Sequence, residues 1–282
     1  MVSRFYTKVS INSLKAVLLA GGYGTRAKPF TDYFPKAMIP LNGRPVIHYV
    51  VSYLAKFSQI SGLIILCEFD NIGKQIINYF EGKEAAIGKP LTFIEDKKFG
   101  TGGALLEIER DVRTDKCFLL WFADNLCALR IDGLIQEYEK ADRITKGGIT
   151  GIVVVRNQRR EETGRVILDN AIHRQANNSR NSTTSLIKQF IEKGVVKLEQ
   201  PEALGIYLFN NTIFDYLHTT SARMHAGGFN LSHDLLGRIS SIGGKLYSYN
   251  LGGNTEWLDV ESPPYSDRNK DTVMKILSQM GM

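Results

Sequence analysis

The stretch KAVLLAGGYGTRAKPFTDYFPK (15–36) joins an apolar run to a loop that is rich in glycine and positively charged. The run Ala16–Ala20 is typical of a buried strand, because it is short and apolar and ends at glycine. Three glycines follow it, namely Gly21, Gly22 and Gly24. Glycine permits close approach to a ligand, and successive backbone N–H groups form a concavity that binds anions.

Two cations follow the glycines. Arg26 can bind a phosphate through a planar fork of N–H groups, and Lys36 supplies a compact charge. The loop contains no GxxxxGK[ST] motif, and Ala27 stands where a dinucleotide fingerprint has its third glycine. The pattern therefore predicts a phosphate-binding loop of another kind, and a tight strand-to-helix turn is the alternative.

Strands and helices alternate through the first half of the chain. The predicted strands cover 15–20, 62–67, 91–95, 117–123 and 148–155, and the predicted helices cover 44–57, 72–80, 103–112 and 131–141. This alternation predicts an α/β fold with a mostly parallel sheet that helices cover on both faces. Ligands bind beyond the carboxyl ends of such strands, so we expect the glycine loop, Glu95 and Asp124 at one edge.

The second half is less regular. Further strands are predicted at 164–169, 186–193, 203–210 and 245–253, and a closing helix at 266–279. The polar segment 170–185 predicts a surface loop or a disordered excursion. We expect an extension over 1–13 and one domain over 14–282, whose regular first part covers about 14–145 and whose smaller β region covers about 146–265.

Composition excludes several classes of protein. No apolar run approaches the roughly 18 residues of a membrane span. The net charge of +6 comes from dispersed basic residues, which favours a small polyanionic substrate over nucleic acid. The 3 cysteines have no disulfide or zinc spacing, and the start has no secretory h-region, so we expect a reducing cytoplasm.

The opening stretch resembles the signature of the sugar-1-phosphate nucleotidylyltransferases, roughly LAGGxGTRLxPxTxxxPKxxxP. The matching residues are Thr25, Arg26, Pro29, Thr31, Pro35, Lys36, Pro40 and Pro45. Later segments resemble the family in order, namely EDKKFGTGGALL (95–106), FADN (122–125), EETGRVILD (161–169), FIEKG (190–194), ALGIYLFN (203–210) and EWLDVESPPY (256–265). The pattern is closest to members that resemble mannose-1-phosphate guanylyltransferase.

The resemblance implies a Rossmann-like fold, with a nucleotide-binding part at about 14–145 and a sugar-binding part at about 146–265, and a set of site residues. The implied nucleotide-binding residues are Ala20, Gly21, Gly22, Gly24, Thr25, Glu95, Gly100 and Thr101. The implied sugar-phosphate-binding residues are Asn125, Gly164, Glu192, Lys193 and Gly205. The implied catalytic residues are Arg26, Lys36 and Lys193, and Asp124 and Asp259 are implied to hold Mg²⁺.

The implied reaction transfers a nucleotidyl group from an NTP to a sugar-1-phosphate. If Glu95 faces the base, its carboxylate suits the adjacent N1–H and N2–H₂ donors of guanine, so GTP is favoured. Mannose-1-phosphate is the first sugar phosphate that we expect, in line with the members that the pattern resembles most. The alternative substrates are glucose-1-phosphate with UTP or dTTP. The alternative classes of protein are a non-catalytic regulatory paralogue and a nucleotidylyltransferase that acts on a non-sugar substrate. The chain leaves no room for the C-terminal β-helix of many family members, so we expect a dimer or tetramer formed by the catalytic domain.

Overall fold

A computed structural model describes most of the chain. The described residues are 11–22, 24–157, 165–169, 184–191, 201–222 and 228–282. The predicted site residues Gly164, Glu192 and Lys193 lie outside them, as does most of the polar segment 170–185.

The described strands and helices follow the predicted alternation. The strands are β1 (Leu14–Leu19), β2 (Pro40–Leu41), β3 (Arg44–Pro45), β4 (Ile60–Cys67), β5 (Leu91–Glu95), β6 (Cys117–Phe122), β7 (Asn125–Cys127), β8 (Gly151–Arg156), β9 (Arg165–Leu168), β10 (Thr184–Ile191), β11 (Glu202–Asn210), β12 (Leu246–Asn250) and β13 (Trp257–Asp259). The helices are α1 (Val46–Ala55), α2 (Lys74–Phe80), α3 (Glu84–Ile87), α4 (Gly100–Glu107), α5 (Glu109–Val112), α6 (Ile131–Ile144), α7 (Ile213–Ser221), α8 (Pro263–Arg268) and α9 (Lys270–Gln279). A π-helix covers Leu231–Leu236.

The central sheet is mixed and has the strand order β5-β4-β1-β6-β11-β8-β12-β10-β9. Strands β5, β4, β1 and β6 are parallel, so their carboxyl ends meet at one edge, as predicted. β11 runs antiparallel to β6, and parallel pairing returns only between β8 and β12 in the described part of the sheet. This confirms the mostly parallel, mixed α/β architecture.

Helices cover both faces of the sheet because successive side chains of a strand point to opposite faces. Ala16 and Leu18 of β1 belong to the core on one face, which includes residues of α1, α6 and α9. Val17 and Leu19 belong to the core on the other face, with residues of α4, α7 and the π-helix. In the described part of the chain, no helix is long and apolar enough to cross a membrane.

Several predicted boundaries are wrong. The helix predicted at 103–112 begins at Gly100 and divides at Ile108, and the helix predicted at 266–279 divides at Asn269 into α8 and α9. The strand predicted from 148 begins at Gly151. Pro45 has extended backbone and precedes α1 instead of lying in its first turn. The sequence analysis missed α7 and the π-helix, because their short apolar patterns are interrupted by polar residues.

A short ribbon outside the central sheet connects two remote segments. Strands β7 and β13 are antiparallel, and Asp259 lies opposite Asn125. One residue beyond this pair, the N–H of Val260 donates to the carbonyl of Asp124 at 2.9 Å. The ribbon therefore places Asp124 and Asp259 beside each other at the carboxyl edge of the sheet.

Candidate functional site

The glycine loop is held at the carboxyl end of β1. The N–H groups of Ala20 and Gly21 both donate to the carbonyl of Leu66, at 2.8 and 3.0 Å. A side chain at Gly21 would collide with a neighbouring loop, because a Cβ there would lie 2.0 Å from Oδ2 of Asp96. The glycine loop therefore passes directly against the Asp96 side chain in the turn after β5.

The loop borders a cavity of about 220 Å³. The cavity is lined by Leu19, Ala20, Gly21, Gly22, Gly24, Thr25, Arg26, Lys36, Ala37 and Asp124. Eight of these residues were predicted to belong to the site, and they come from the loop, from the turn at Lys36 and from the end of β6. The structure thus brings together glycine backbone, two cations and an acid, a combination suited to binding phosphate groups.

Lys36 lies between the two predicted metal ligands. Its Nζ donates to Oδ2 of Asp124 at 2.6 Å and to Oδ1 of Asp259 at 3.1 Å. The Lys36 side chain is only 15% exposed. Burial alone would lower the pKa of Lys36, but the attraction of the two carboxylates outweighs burial and raises the pKa. Lys36 is therefore a charged cation shared by two acids.

The two acids share the single cation of Lys36. Burial raises the pKa of Asp124, and the nearby Asp259 carboxylate raises it further, against the opposing effect of Lys36. Two carboxylates that converge on one lysine ammonium offer hard oxygen ligands around a position that already accepts a cation. The residues present therefore fit a Mg²⁺ ion, although no cluster of three or more acidic, histidine or cysteine ligands occurs among the described residues.

Arg26 lies at the mouth of the same cavity. Its side chain is 54% exposed, and Nη1 lies 3.6 Å from Oε1 of Glu261. Glu261 follows β13, so this ion pair connects the glycine loop to the last family-like segment. Glu261 was not predicted to belong to the site, and its position two residues after Asp259 was the available signal.

Asn125, the residue after Asp124, lies close to Gly205. The buried amide of Asn125 donates from Nδ2 to the carbonyl of Leu204 at 2.9 Å. Gly205 has a φ of +69°, and a Cβ at this position would lie 2.5 Å from Nδ2 of Asn125. A residue without a side chain is required here because β11 approaches Asn125 so closely, and the role of Gly205 beside the sugar stays a prediction.

The predicted base-binding residues lie farther along the edge of the sheet. Glu95 is exposed at the end of β5 and is absent from the lining of the cavity. Gly100 begins α4, and the hydroxyl of Thr101 accepts a hydrogen bond from the N–H of Leu231 at 2.9 Å. Thr101 therefore attaches the π-helix to α4. The base-binding role of all three residues stays a prediction.

A second cavity of about 360 Å³ adjoins the first one. It is lined by Ala20, Gly22, Thr25, Lys28, Thr31, Asp32, Phe34, Pro35, Glu68, Asp70, Ile72, Gly73 and Lys98. No sequence pattern predicted that Glu68 or Lys98 belongs to a site. Glu68 directly follows β4, so the rule that ligands bind beyond the carboxyl ends of parallel strands could have found it.

The sequence resembles enzymes that act on sugar phosphates. The model of the family described as nucleotidyl transferase matches residues 15–264. A mannose-1-phosphate guanyltransferase of Debaryomyces hansenii is 25% identical over 252 residues, which is 89% of this chain and 62% of that protein. A UTP–glucose-1-phosphate uridylyltransferase of Synechocystis is 25% identical over 267 residues, 89% of this chain and 61% of that protein. The chain thus spans less than two thirds of these relatives.

Solved structures share the fold. A UDP-glucose pyrophosphorylase complexed with UDP-glucose has a TM-score of 0.66 at 18% identity, covering 95% of this chain and 97% of its own. A putative glucose-1-phosphate thymidylyltransferase from Bacillus anthracis has a TM-score of 0.71 at 20% identity. The match covers 93% of this chain and 95% of the chain of that structure. At these identities the likeness concerns the fold alone.

Proposed function

Because this chain belongs to the nucleotidyl transferase family, we propose that it transfers a nucleotidyl group from an NTP to a sugar-1-phosphate and releases pyrophosphate. One observation carries the proposal. Lys36 is held between Asp124 and Asp259 in a cavity lined by the glycine loop and Arg26. These charges come from remote parts of the chain and converge at the edge of the sheet where α/β folds bind ligands.

The proposed reaction is an in-line displacement. An oxygen of the sugar phosphate forms a bond to the α-phosphorus of the NTP, the bond from that phosphorus to the bridging oxygen breaks, and the electron pair leaves with pyrophosphate. The attacking oxygen is already an anion, so no general base is needed. The barrier lies in bringing two polyanions together, and positioning and neutralising charges can lower it.

The residues of the cavity suit this task. The N–H groups of the glycine loop and the side chain of Thr25 would surround the phosphates of the NTP. Lys36 would neutralise the triphosphate, and Arg26 would stabilise the charge that develops on the leaving pyrophosphate. Lys193, which lies outside the described residues, is proposed to bind the sugar phosphate, with Glu192, Gly164, Asn125 and Gly205 near the sugar.

Asp124 and Asp259 would hold Mg²⁺. The bound ion would supply positive charge to the phosphate oxygens. With the ion in place, Lys36 would no longer be the main cation of the acid pair and could turn its ammonium group toward the triphosphate.

We propose GTP and mannose-1-phosphate as the substrates. The Debaryomyces hansenii relative, a mannose-1-phosphate guanyltransferase, supports this choice. The Synechocystis relative supports UTP and glucose-1-phosphate as the second candidate pair.

A matrix of substrates tests the proposal. GTP, UTP, dTTP, ATP and CTP are each combined with mannose-1-phosphate, glucose-1-phosphate and a heptose-1-phosphate, and pyrophosphate release is measured with Mg²⁺ and with excess chelator. We expect release only when both substrates and Mg²⁺ are present, with the matching nucleotide sugar detected by mass spectrometry. Nucleotide binding without pyrophosphate release in any combination would instead indicate the regulatory paralogue.

A further inference from the structure

The second cavity continues the first one. Ala20, Gly22 and Thr25 line both cavities, so the glycine loop forms their common wall. If the first cavity receives the phosphates, the second is within reach of another part of the same nucleotide. Its volume of about 360 Å³ exceeds the roughly 220 Å³ of the phosphate cavity.

An acid and a cation lie side by side in the lining of the second cavity. Nζ of Lys98 is 2.8 Å from Oε2 of Glu68, and the Glu68 side chain is only 15% exposed. Burial raises the pKa of Glu68, Lys98 favours its charged form, and a hydrogen bond with Asp70, which also lines the cavity, raises the pKa again. The pair therefore offers acceptor oxygens and an N–H donor at adjacent positions.

The backbone places Lys98 in an unusual conformation. Lys98 has a φ of +62°, which is uncommon for a residue with a side chain, and its N–H donates to Oδ1 of Asp96 at 2.9 Å. The N–H of Asp96 in turn donates to the carbonyl of Cys67 at 2.9 Å, directly before Glu68. The turn after β5 is thus attached to the end of β4. Strained backbone of this kind is often retained where it positions a functional side chain.

We propose that Glu68 and Lys98 together recognise the guanine base of the nucleotide substrate. The Watson–Crick edge of guanine presents the O6 acceptor followed by the N1–H and N2–H₂ donors. Lys98 would donate to O6, and the carboxylate of Glu68 would accept from N1–H and N2–H₂. O6 and N1–H are neighbours on guanine, just as Lys98 and Glu68 are neighbours in the cavity. The base can therefore bind both side chains while their ion pair stays intact. The inference rests on the proposed nucleotidyl transfer.

Other bases fit the pair less well. Uracil and thymine present acceptors on both sides of N3–H, so O2 would face the Glu68 carboxylate. Adenine presents its amino donor where guanine has O6, and this donor would face the ammonium group of Lys98. Phe34 also lines the cavity and is 44% exposed, so it offers aromatic surface to a base. This assigns base selection to Glu68 in place of the exposed Glu95, which lines neither cavity.

The test is the ratio of kcat/KM for GTP to kcat/KM for UTP. Hydrogen bonds to charged groups contribute enough to predict that Glu68→Gln lowers this ratio by about 10- to 100-fold, and Lys98→Met by about 10-fold. Both substitutions should lower kcat/KM for GTP and leave kcat/KM for UTP nearly unchanged. Lys98→Arg retains a donor and should recover most of the ratio.

The chain offers a matched control on the same turn. Nζ of Lys97 and Oε2 of Glu107 are also 2.8 Å apart, but neither residue lines either of the two cavities described above. Lys97→Met and Glu107→Gln should therefore leave the ratio unchanged. Thermal unfolding of each variant shows whether the protein is still folded. A loss of folded protein would lower turnover with both GTP and UTP, whereas a loss of base selection would lower turnover with GTP alone.

Several outcomes would overturn the inference. They are a wild-type preference for UTP, an unchanged ratio in folded Glu68→Gln and Lys98→Met, and a shift of the ratio in Glu95→Gln but not in Glu68→Gln. If no substrate pair releases pyrophosphate, the proposed function fails, and equilibrium binding of GTP and UTP replaces the kinetic ratio. If wild type binds GTP more tightly than UTP and Glu68→Gln does not, the inference is still supported. If Glu68→Gln keeps the preference for GTP, the inference is refuted.

Discussion

Replacing Lys36 by methionine tests the charge arrangement of the site directly. The substitution keeps much of the side-chain length but removes the cation shared by Asp124 and Asp259. At 2.6 and 3.1 Å, each attraction is roughly 5 to 6 kcal/mol for an effective dielectric constant of about 20. Desolvation of the three groups offsets most of this energy, because their side chains are only 15–23% exposed to solvent. We therefore expect Lys36→Met to lower the free energy of unfolding by about 2 to 3 kcal/mol.

This change is measurable by thermal unfolding. The unfolding entropy is about 2.1 cal/mol/K per residue, so the 282 residues give about 0.6 kcal/mol/K and a fall in Tm of about 3 to 5 °C. Mg²⁺ should raise the Tm of Lys36→Met more than that of the wild type, because the acid pair of the variant lacks its internal cation. Turnover should fall by about 10²- to 10³-fold.

Lys116 provides a control, because it forms an equally short ion pair with a single acid. Nζ of Lys116 is 2.6 Å from Oδ2 of Asp142, at a place that lines neither cavity. Lys116→Met should cost about 1 kcal/mol or less and leave turnover and the Mg²⁺ effect intact. The reasoning is refuted if Lys36→Met unfolds at the wild-type temperature and Mg²⁺ shifts both proteins equally.

Three further predictions follow from the structure. Asp124→Asn should lower kcat by about 10²-fold or more at saturating Mg²⁺, because one of the two carboxylates that would hold the ion is lost. Gly205→Ala should destabilise the protein by roughly 2 to 4 kcal/mol in chemical denaturation, because φ is +69° and the new Cβ would lie 2.5 Å from Nδ2 of Asn125. Glu256→Gln should cost roughly 1 kcal/mol at neutral pH, since the hydrogen bond from Lys275 lowers the pKa of Glu256 below its ordinary value of 4.5. That contribution is present above pH 4.5 and is lost as the pH falls through the folded-state pKa, so wild type and variant should converge in acid.

Each of these predictions has its own contrary result. Near-wild-type turnover of Asp124→Asn would remove the metal assignment. Gly253→Ala serves as the control for Gly205→Ala, because a Cβ at Gly253 would meet nothing within 4 Å, and equal costs of the two substitutions would contradict the argument from close approach. A stability difference for Glu256→Gln that persists unchanged in acid would show that the carboxylate charge is not the cause.

Local patterns were sufficient for the framework of the fold. The strand of 91–95 is confirmed residue for residue, and the run after Lys15 forms β1 between β4 and β6. Short apolar runs that alternate with amphipathic segments have few ways to bury their surface, and a sheet covered on both faces is one of them. The expectation that the glycine loop and Asp124 lie at one edge followed from that topology and is confirmed by their shared cavity.

Other features depend on pairings that local patterns do not encode. β7 and β13 have 3 residues each, which is too short for a periodic signal, and only their pairing sets Asp259 opposite Asn125. Likewise, Glu68 and Lys98 are ordinary surface residue types by sequence, and the attachment of the turn after β5 to the end of β4 brings them to 2.8 Å.

The sequence by itself determined the α/β class, the glycine loop and the identity of its cations, because hydrophobic periodicity and glycine act through neighbouring residues. Only the tertiary structure decided that Lys36 is shared by Asp124 and Asp259, because a contact between residues 223 positions apart arises from the complete fold. Charge becomes chemically useful when such folding holds several groups at one place and keeps water from screening them.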